Sequence, residues 1–434
     1  MSVYRFPLRQ HIGKEAVPNV TEGCSVVRGQ LLADADPDAP GAPVHSSISG
    51  VVTEVNAHEI TVEKGTETVP AGYLPLPQSD PLEMIRRAGI VGLGGAGFPT
   101  YAKLCTPVSG GTVILNAAEC EPILEHNMAR IRTSAKEIIQ GLEIVRSLVH
   151  AGQCIIAIKK KHTAECETLN REIRSSPVDF CLLPDAYPAG EERAVIREAL
   201  GTLLLPEALP AAAGAIVLNT ETVYRIYEAV VLGKPLIDRD VTIAGKIHGN
   251  HLGNLIQVFP DQPLGISTEA LFHKAGGVAD EYGELIAGGP FTGKRTAMDA
   301  PLIKTTGGLI ATECFPRGPK AIGLLVCACG ASEARLRQLA ESLGSSVAGT
   351  EFCKQAKAIR GTRKCENPGH CPGQALKVMA LKKAGAQAVL ISSCTDCTNT
   401  VMACAPALGL PVYHCTDQAL RAVNHPLIRR IREN

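Results

Sequence analysis

The stretch that decides the fold is Gly92-Leu93-Gly94-Gly95-Ala96-Gly97-Phe98-Pro99-Thr100, followed at once by Tyr101-Ala102-Lys103-Leu104. Four glycines within six residues cannot form a stable helix or strand interior, because each one costs backbone entropy and leaves no side chain to pack. We expect a loop whose backbone N–H groups approach an anion or a flat ring, with Lys103 close enough along the chain to meet a phosphate. Gly92, Gly94 and Gly97 also satisfy G-x-G-x-x-G, which alone is a weak dinucleotide signal.

Only the short apolar segment Ala88–Val91 precedes this loop, directly after a helical pattern over Pro81–Arg87. The dinucleotide fingerprint expects a full buried strand at that place, so a standard nicotinamide fold is not indicated. The longer string GLGGAGFPT-x-x-K-L is more specific than its glycines. It resembles the flavin-binding loop shared by the NADH-oxidising flavoprotein subunit of respiratory complex I and the C subunits of Rnf-type electron-transport complexes. A plain glycine-rich turn is the alternative.

Bulk composition limits the class of protein. The 434 residues carry 43 basic and 43 acidic side chains, which gives no global attraction to nucleic acid or to an anionic membrane. We find no apolar run of transmembrane length and no signal-peptide core at the N-terminus, so we expect a cytoplasmic protein that is not integral to a membrane. Of 16 cysteines, ten lie between Cys314 and Cys415, which predicts a separate metal, iron–sulfur or thiol chemistry in the C-terminal part.

The length predicts three or four domains. Short strands broken by glycine and proline in residues 1–78 resemble the barrel-sandwich hybrid domain that opens Rnf-type C subunits. We expect His11 and His45 to be ordinary polar surface residues there. Alternating strands and helices in 79–235 predict a parallel sheet, hence a Rossmann-like domain for FMN and NADH. Residues 236–310 resemble the β-grasp (SLBB-like) module of the same families, and 311–434 read as a small cysteine-rich α/β domain.

Three further loops follow predicted strands of the middle domain, where open α/β sheets bind ligands. They are Asn116-Ala117-Ala118-Glu119-Cys120-Glu121-Pro122, Tyr187-Pro188-Ala189-Gly190-Glu191-Glu192 and Asn219-Thr220-Glu221-Thr222. Their order after the glycine loop matches the flavoprotein families, in which the four loops enclose FMN and the exposed face of the flavin receives NADH. Acidic residues there favour NADH over NADPH. For Glu191 and Glu192, placement at a helix N-terminus is an equally good explanation.

The resemblance implies a cofactor-binding role for thirteen residues. The glycines would approach the flavin and its phosphate, Lys103 would neutralise phosphate charge, and the asparagines would hydrogen-bond the ring or the ribityl chain. Phe98 would stack on a nicotinamide or adenine ring, and the glutamates would line the pocket. The full set is Gly92, Gly94, Gly95, Gly97, Phe98, Lys103, Asn116, Glu119, Glu121, Tyr187, Glu191, Glu192 and Asn219.

The C-terminal part lacks the two ferredoxin-like motifs of Rnf-type C subunits. It offers Cys327-x-Cys329 after a strand, and Cys394-x-x-Cys397 before a helix that we place at Asn399–Leu408. A thiol at a helix N-terminus has a lowered pKa, which suits a redox dithiol or a cluster ligand. These four are our candidate catalytic cysteines. If an iron–sulfur centre is present, we expect Cys394, Cys397 and Cys404 among its ligands; the spacing does not choose between the two chemistries.

The run Cys394-Thr395-Asp396-Cys397-Thr398-Asn399-Thr400 and the segment Val412–Asp417 are similar to the electron-transfer proteins associated with D-proline reductase. This resemblance implies an NADH-dependent flavin oxidoreductase that passes electrons through a C-terminal cysteine centre to a partner, D-proline reductase or a related amino-acid reductase. The alternatives are the NADH-entry subunit of an Rnf-type membrane complex, a corrinoid (cobalamin) reductase, and a non-catalytic adaptor with a degenerate flavin pocket.

Overall fold

The computed structural model describes residues 2–36, 38–173, 177–248, 255–359 and 361–429. Seven short strands open the chain and form two small antiparallel sheets, ordered β1-β7-β6-β3 and β2-β4-β5. The longer strands alternate buried and exposed side chains, so that Phe6, Ile60 and Val62 lie in the core between the sheets. The strands are β1 Val3–Pro7, β2 Val17–Pro18, β3 Ser25–Val26, β4 Leu31–Asp34, β5 Val44–His45, β6 Gly50–Val55 and β7 Glu59–Lys64.

A four-stranded parallel sheet, ordered β10-β9-β8-β11, forms the centre of the next region. Its central strands are apolar throughout because helices cover both faces. The longest helix buries Ile131, Ile138, Leu142 and Val145 along one stripe against this sheet. The elements are α1 Pro81–Arg87, α2 Thr100–Leu104, β8 Thr112–Ala117, α3 His126–Leu148, β9 Gln153–Lys159, α4 Thr163–Glu172, β10 Val178–Leu183, α5 Glu192–Leu200, β11 Ala215–Asn219 and α6 Thr220–Leu232.

The third region is a mixed five-stranded sheet, ordered β13-β12-β16-β14-β15, with one short helix. Its elements are β12 Asp238–Gly245, β13 Ile256–Pro263, α7 Thr268–Lys274, β14 Leu285–Ala287, β15 Lys294–Thr296 and β16 Gly308–Ala311. The first three regions share one hydrophobic core. Lys304, fully buried, ties them together by donating from Nζ to the carbonyls of Pro43 at 2.6 Å and Gly89 at 2.8 Å.

The last region is a second parallel α/β sheet, ordered β18-β17-β21-β22, with a two-stranded ribbon at its side. It has its own hydrophobic core, into which Tyr187 and Phe291 of the earlier regions insert. The elements are β17 Ala321–Val326, α8 Glu333–Ser342, β18 Ser346–Phe352, β19 Ala356–Ile359, β20 Thr362–Cys365, α9 Ala375–Lys383, β21 Ala388–Ile391, α10 Thr395–Cys404, β22 Val412–His414 and α11 Asp417–Ala422.

Two local expectations are corrected. Helix α10 begins at Thr395, not at Asn399, so Cys394 is its N-cap residue and Cys397 lies in the first turn. His11 and His45 are buried rather than on the surface, because the first region packs against the glycine loop and the third region. His11 accepts a 3.0 Å hydrogen bond from the amide of Ala42, and burial lowers the pKa of His45 to about 3, which keeps that ring neutral.

Candidate functional site

The glycine loop is held at its base and open at its tip. The amide of Gly92 donates to the carbonyl of Phe98 at 2.9 Å, and Ile12 of the first region donates to Ala96 at 3.1 Å. Gly97 has a φ of +78°, a conformation that a side chain would strain, and a Cβ there would lie 3.0 Å from the Cα of His11. Among the described residues, the amides from Gly94 to Gly97 donate to no protein acceptor. This row of free N–H groups is a cradle for an anion or a polar ring edge.

Two strand ends and the helices α2 and α5 supply the polar side chains near the loop. Strands β8 and β11 are neighbours, and Asn116 and Asn219 lie directly opposite each other at their carboxyl ends. Lys103 donates from Nζ to Glu192 at 2.8 Å and to the carbonyl of Val217 at 2.9 Å. A Cβ on Gly94 would lie 2.7 Å from the amide nitrogen of Asn219, so the loop packs closely on that side chain. We call this part of the surface, where Gly94 and Gly95 are exposed, the flavin groove.

Six of the predicted cofactor residues lie around the groove at these strand ends, and Phe98 stands exposed at its rim. The six are Gly94, Gly95, Lys103, Asn116, Glu192 and Asn219. Gly92 and Gly97 form the base of the loop. The groove therefore contains a lysine, two carboxamides and free backbone donors, which is the donor set that an FMN phosphate and ring would use. The role of each residue in binding stays a prediction.

Glu191 and Glu121 have other partners in the structure. The carboxylate of Glu191 accepts from the amides of Arg193 at 2.9 Å and Ala194 at 3.0 Å, so it caps helix α5. Glu121 accepts from the amides of Phe291 at 2.7 Å and Thr292 at 2.9 Å in the third region. Both carboxylates thus stabilise the protein's own backbone, as the helix-terminus explanation anticipates for Glu191.

Glu119 and Tyr187 line a cavity of about 430 Å³ between the parallel sheet and the C-terminal region. The glycine loop does not line this cavity; the turn at Gly190 lies between the two, since its carbonyl accepts from Asn116 and its amide donates to Cys120. Burial raises the pKa of Glu119 to about 7 although Asn127 donates to it twice. Sequence reasoning missed Lys159 in this cavity, which pairs with Asp185 at 3.3 Å.

Tyr187 connects the middle region to the cysteine-rich region. Its ring stacks on Phe291, with centroids 3.5 Å apart and planes 2° from parallel. Its hydroxyl donates to the carbonyl of Cys329. Its backbone exchanges two hydrogen bonds of 3.0 Å with Thr395, the first residue of helix α10. One residue from a predicted flavin loop therefore contacts both of the segments that carry the predicted catalytic cysteines, one through its side chain and the other through its backbone.

Seven cysteines line a single small pocket in the C-terminal region: Cys327, Cys329, Cys353, Cys365, Cys371, Cys394 and Cys397. Cys327 lies close enough to Cys329, Cys353 and Cys397, and Cys371 to Cys397, for these thiols to shift one another's pKa values. The structure thus brings together the four predicted catalytic cysteines and adds three that sequence reasoning did not assign. The signal for those three was only the local density of cysteine. We call this group the thiol pocket.

Hydrogen bonding lowers the pKa of some thiols in the pocket and raises the pKa of others. A hydrogen bond from Cys397, assisted by Thr400 and Gln374, lowers the pKa of Cys371 to about 6. Cys397 donates to the sulfurs of Cys327 and Cys371, and this, together with burial, raises the pKa of Cys397 well above its usual range. Gln374 is buried and donates from Nε2 to the sulfurs of Cys353 at 3.1 Å and Cys371 at 3.3 Å. The pocket is built to hold some of its sulfurs as thiolates.

The predicted metal ligands are not gathered as a set. Cys404 lies outside the thiol pocket, where its thiol donates to the carbonyl of Val401 at 3.5 Å. Within the described ranges, no group of three or more His, Cys, Asp or Glu side chains is arranged to hold a metal ion. All 16 cysteines are free thiols. Thiolates are the ligands that iron–sulfur clusters use, so the pocket fits a cluster in chemistry but not in arrangement.

Two regions of the chain match known domain families. Residues 85–228 match the Nuo51 FMN-binding domain, and residues 2–71 match the RnfC barrel sandwich hybrid domain. Together with the flavin groove, these matches define an electron-transfer flavoprotein of mixed α/β architecture with an FMN-binding domain. The first region is accordingly a barrel-sandwich domain. In the part of the chain that the structure describes, no helix is both long and apolar enough to cross a membrane.

The chain belongs to the RnfC-like family. It is 31% identical over 324 residues to the C subunit of the Na⁺-translocating ferredoxin:NAD⁺ oxidoreductase complex of Acetobacterium woodii, covering 70% of this chain and 72% of that one. It is 30% identical over 323 residues to the C subunit of the proton-translocating complex of Clostridium ljungdahlii, covering 70% and 69%. It is also 30% identical over 351 residues to the cobalamin reductase PduS of Citrobacter freundii, covering 79% and 72%.

Among solved structures, the NAD⁺-reducing [NiFe]-hydrogenase in its air-oxidized state is similar, with a TM-score of 0.45 and 19% identity. The similarity covers 53% of this chain and 46% of the hydrogenase chain.

Proposed function

We propose that the protein takes hydride from NADH at FMN in the flavin groove and passes electrons through the thiol pocket to a partner reductase in the cytoplasm. Bound FMN supplies the hydride and electron chemistry. The free amides of Gly94 to Gly97 and the ammonium of Lys103 would hold its phosphate, and the carboxamides of Asn116 and Asn219 would orient its ring. Phe98, which is 44% exposed, offers a face on which a nicotinamide can stack.

The observation that supports electron transfer out of the flavin domain is the position of Tyr187. It follows a strand of the flavin domain, and it hydrogen-bonds both Cys329 and Thr395. The turn that carries Gly190 and Glu192 is therefore covalently continuous with a residue that contacts the thiol pocket. This turn therefore links the flavin groove to the thiol pocket along the chain.

An anaerobic visible spectrum tests the first half of this function. Purified protein reconstituted with FMN should show a flavin band that bleaches on addition of NADH. A persistent broad shoulder would indicate an iron–sulfur centre instead of free thiols. Absence of flavin binding after reconstitution would remove the proposed function and leave only the fold.

Cysteine variants test the second half. Cys394→Ser should abolish electron delivery to an acceptor while NADH still bleaches the flavin. Cys404→Ser is the matched control, because Cys404 lies on the same helix α10 but outside the thiol pocket. Loss of bleaching in Cys394→Ser would argue against a separate C-terminal centre.

The identity of the electron acceptor distinguishes the candidate partners. Similarity of the Cys394–Thr400 run favours D-proline reductase or a related amino-acid reductase. The similarity to PduS favours a corrinoid as the second candidate. NADH-dependent reduction of cob(III)alamin by the purified protein would favour the second, and reduction of the amino-acid reductase without cobalamin would favour the first.

A role as the NADH-entry subunit of an Rnf-type complex fits the relatives, but this chain lacks the ferredoxin-like motifs of such subunits. A non-catalytic adaptor would bind no flavin in the same assay.

A further inference from the structure

The cysteines of the thiol pocket differ in their exposure to solvent. Six of its cysteines are buried, and Cys371 alone among the seven is only partly buried. It lies in a loop whose flanking residues His370 and Pro372 are exposed. A thiol that exchanges with another molecule must be reached from solvent, so Cys371 is the member of the pocket that an acceptor can reach.

Cys371 makes hydrogen bonds with polar groups both at its sulfur and at its backbone amide. Its sulfur lies 3.2 Å from the hydroxyl of Thr400 and accepts from Gln374 at 3.3 Å. Its backbone amide donates to Asp396 at 2.7 Å, which fixes the loop against helix α10. Behind it, Cys397 is 1% exposed and lines the same pocket, and in helix α10 it lies between Asp396 and Thr400, the two residues of that helix that hydrogen-bond Cys371. An accessible sulfur with a buried thiol in the same small pocket is the arrangement of an attacking and a resolving cysteine.

We infer that Cys371 and Cys397 form the exit dithiol of the protein, which reduces a disulfide on the acceptor. Cys371 is the attacking thiolate and Cys397 the resolving thiol. This pairing differs from the Cys394–Cys397 and Cys327–Cys329 pairs that the sequence spacing suggests. It deepens the proposed function, on which it relies only for the source of electrons.

The reaction balances with two electrons. The Cys371 thiolate attacks one sulfur of the acceptor disulfide, forming a mixed disulfide and releasing the other acceptor sulfur as a thiolate that takes up a proton. The Cys397 thiol, losing its proton, attacks the sulfur of Cys371, which forms the Cys371–Cys397 disulfide and releases the second acceptor thiol. The acceptor disulfide is reduced to two thiols, and two cysteines of this chain are oxidised to one disulfide.

Neighbouring thiols provide the return path. Cys327, Cys329 and Cys397 line the same small pocket. Attack by Cys327 on Cys397 restores the Cys371 thiolate, and attack by Cys329 on Cys327 then moves the disulfide to the inner Cys327–Cys329 pair and frees Cys397. The inner pair lies next to Tyr187, on the flavin-domain side. Its re-reduction takes two electrons from reduced FMN, the donor that the proposed function names.

The test uses the full-length chain without FMN or NADH. Cys105 and Cys314 are exposed and would react with any disulfide probe, so both are replaced by serine in the parent protein. The reduced parent is mixed anaerobically with one equivalent of 5,5′-dithiobis(2-nitrobenzoate), and products are mapped by peptide mass spectrometry. We expect two thionitrobenzoate anions released per chain and a peptide pair joined through Cys371 and Cys397.

Cys397→Ser should release one anion and retain a stable thionitrobenzoate adduct on Cys371, whereas Cys404→Ser should behave as the parent. A disulfide mapped to another pair in the parent, which requires no variant to fold, would overturn the inference. Stoichiometric iron and acid-labile sulfide in the purified parent would also overturn it. If the pair maps as expected but NADH with FMN does not re-reduce it, the inference stands and the proposed function fails.

Discussion

Tyr187 and Thr395 exchange two hydrogen bonds, each 3.0 Å long, although they lie in different regions of the chain: the amide of Tyr187 donates to the hydroxyl of Thr395, and the amide of Thr395 donates to the carbonyl of Tyr187. The first of these is a side-chain contact that a substitution can remove without touching a cysteine. The pair fixes the N-terminus of helix α10, with Cys394 and Cys397, against the flavin domain.

Thr395→Val should loosen this junction. It keeps the shape of the side chain but leaves the amide of Tyr187 without its acceptor, which costs about 1–3 kcal/mol when the group is buried. We expect a lower unfolding midpoint in urea and slower reduction of the cysteines by NADH and FMN, with the flavin itself reduced at the parent rate. Thr362→Val, at an exposed position of the same C-terminal region, is the control for a lost hydroxyl away from the junction. Equal midpoints for Thr395→Val and the parent would show that the contact does not stabilise the interface.

Lys103→Met should weaken FMN binding. A hydrogen bond to a charged group contributes about 1.5–3 kcal/mol, so we expect a rise in Kd of roughly 10- to 150-fold. Flavin fluorescence quenching on titration into the apo-protein measures it. Lys160→Met is the matched control, since Lys160 is exposed at the end of the neighbouring strand β9. An unchanged Kd in Lys103→Met would place the phosphate elsewhere.

Gly94→Ala and Gly95→Ala should separate packing from ligand contact. A Cβ on Gly94 meets Asn219 at 2.7 Å, so that variant should lose both stability and FMN affinity. A Cβ on Gly95 meets no protein atom within 4 Å, so that variant should melt at the parent temperature and still bind FMN more weakly. Thermal melts with and without FMN measure both effects. Parent-like FMN binding by Gly95→Ala would mean that the flavin does not approach this part of the loop.

Glu119 should contribute stability that is lost with rising pH. Burial raises its pKa from 4.5 to about 7, so the folded state holds a proton that the unfolded chain has released between these values. The contribution is fully present below pH 4.5 and is lost as pH rises through 7. Glu119→Gln should remove this contribution, so that the unfolding free energy of the variant falls less, or rises more, than that of the parent between pH 4.5 and 7, measured by urea unfolding from pH 4.5 to 8. Glu125→Gln, an exposed carboxylate at the same cavity, should keep the parent profile. A parent-like slope in Glu119→Gln would assign the dependence to another group.

Local patterns in the sequence were sufficient for the middle of the fold. The glycine loop, the apolar runs Thr112–Leu115 and Ala215–Leu218, and the Asn and Glu residues after them predicted a parallel sheet with ligand loops at one edge, because strand periodicity and glycine chemistry act over a few residues. The observed strands are slightly longer, Thr112–Ala117 and Ala215–Asn219. Helix Pro81–Arg87 was predicted within the same limits, and in the structure Asp80 caps it. Adjacent parallel strands then necessarily bring Asn116 beside Asn219.

The tertiary structure decided which side chains share a site. Spacing along the chain paired Cys394 with Cys397, yet the pocket also draws Cys353, Cys365 and Cys371 from three other segments, because a parallel sheet folds distant loops onto one edge. Glu191 and Glu192 are adjacent in sequence, but the first caps a helix while the second meets Lys103, since successive residues at a helix start point in different directions. The sequence alone determined the elements and the chemistry they carry; only long-range packing determined the partner of each thiol and carboxylate.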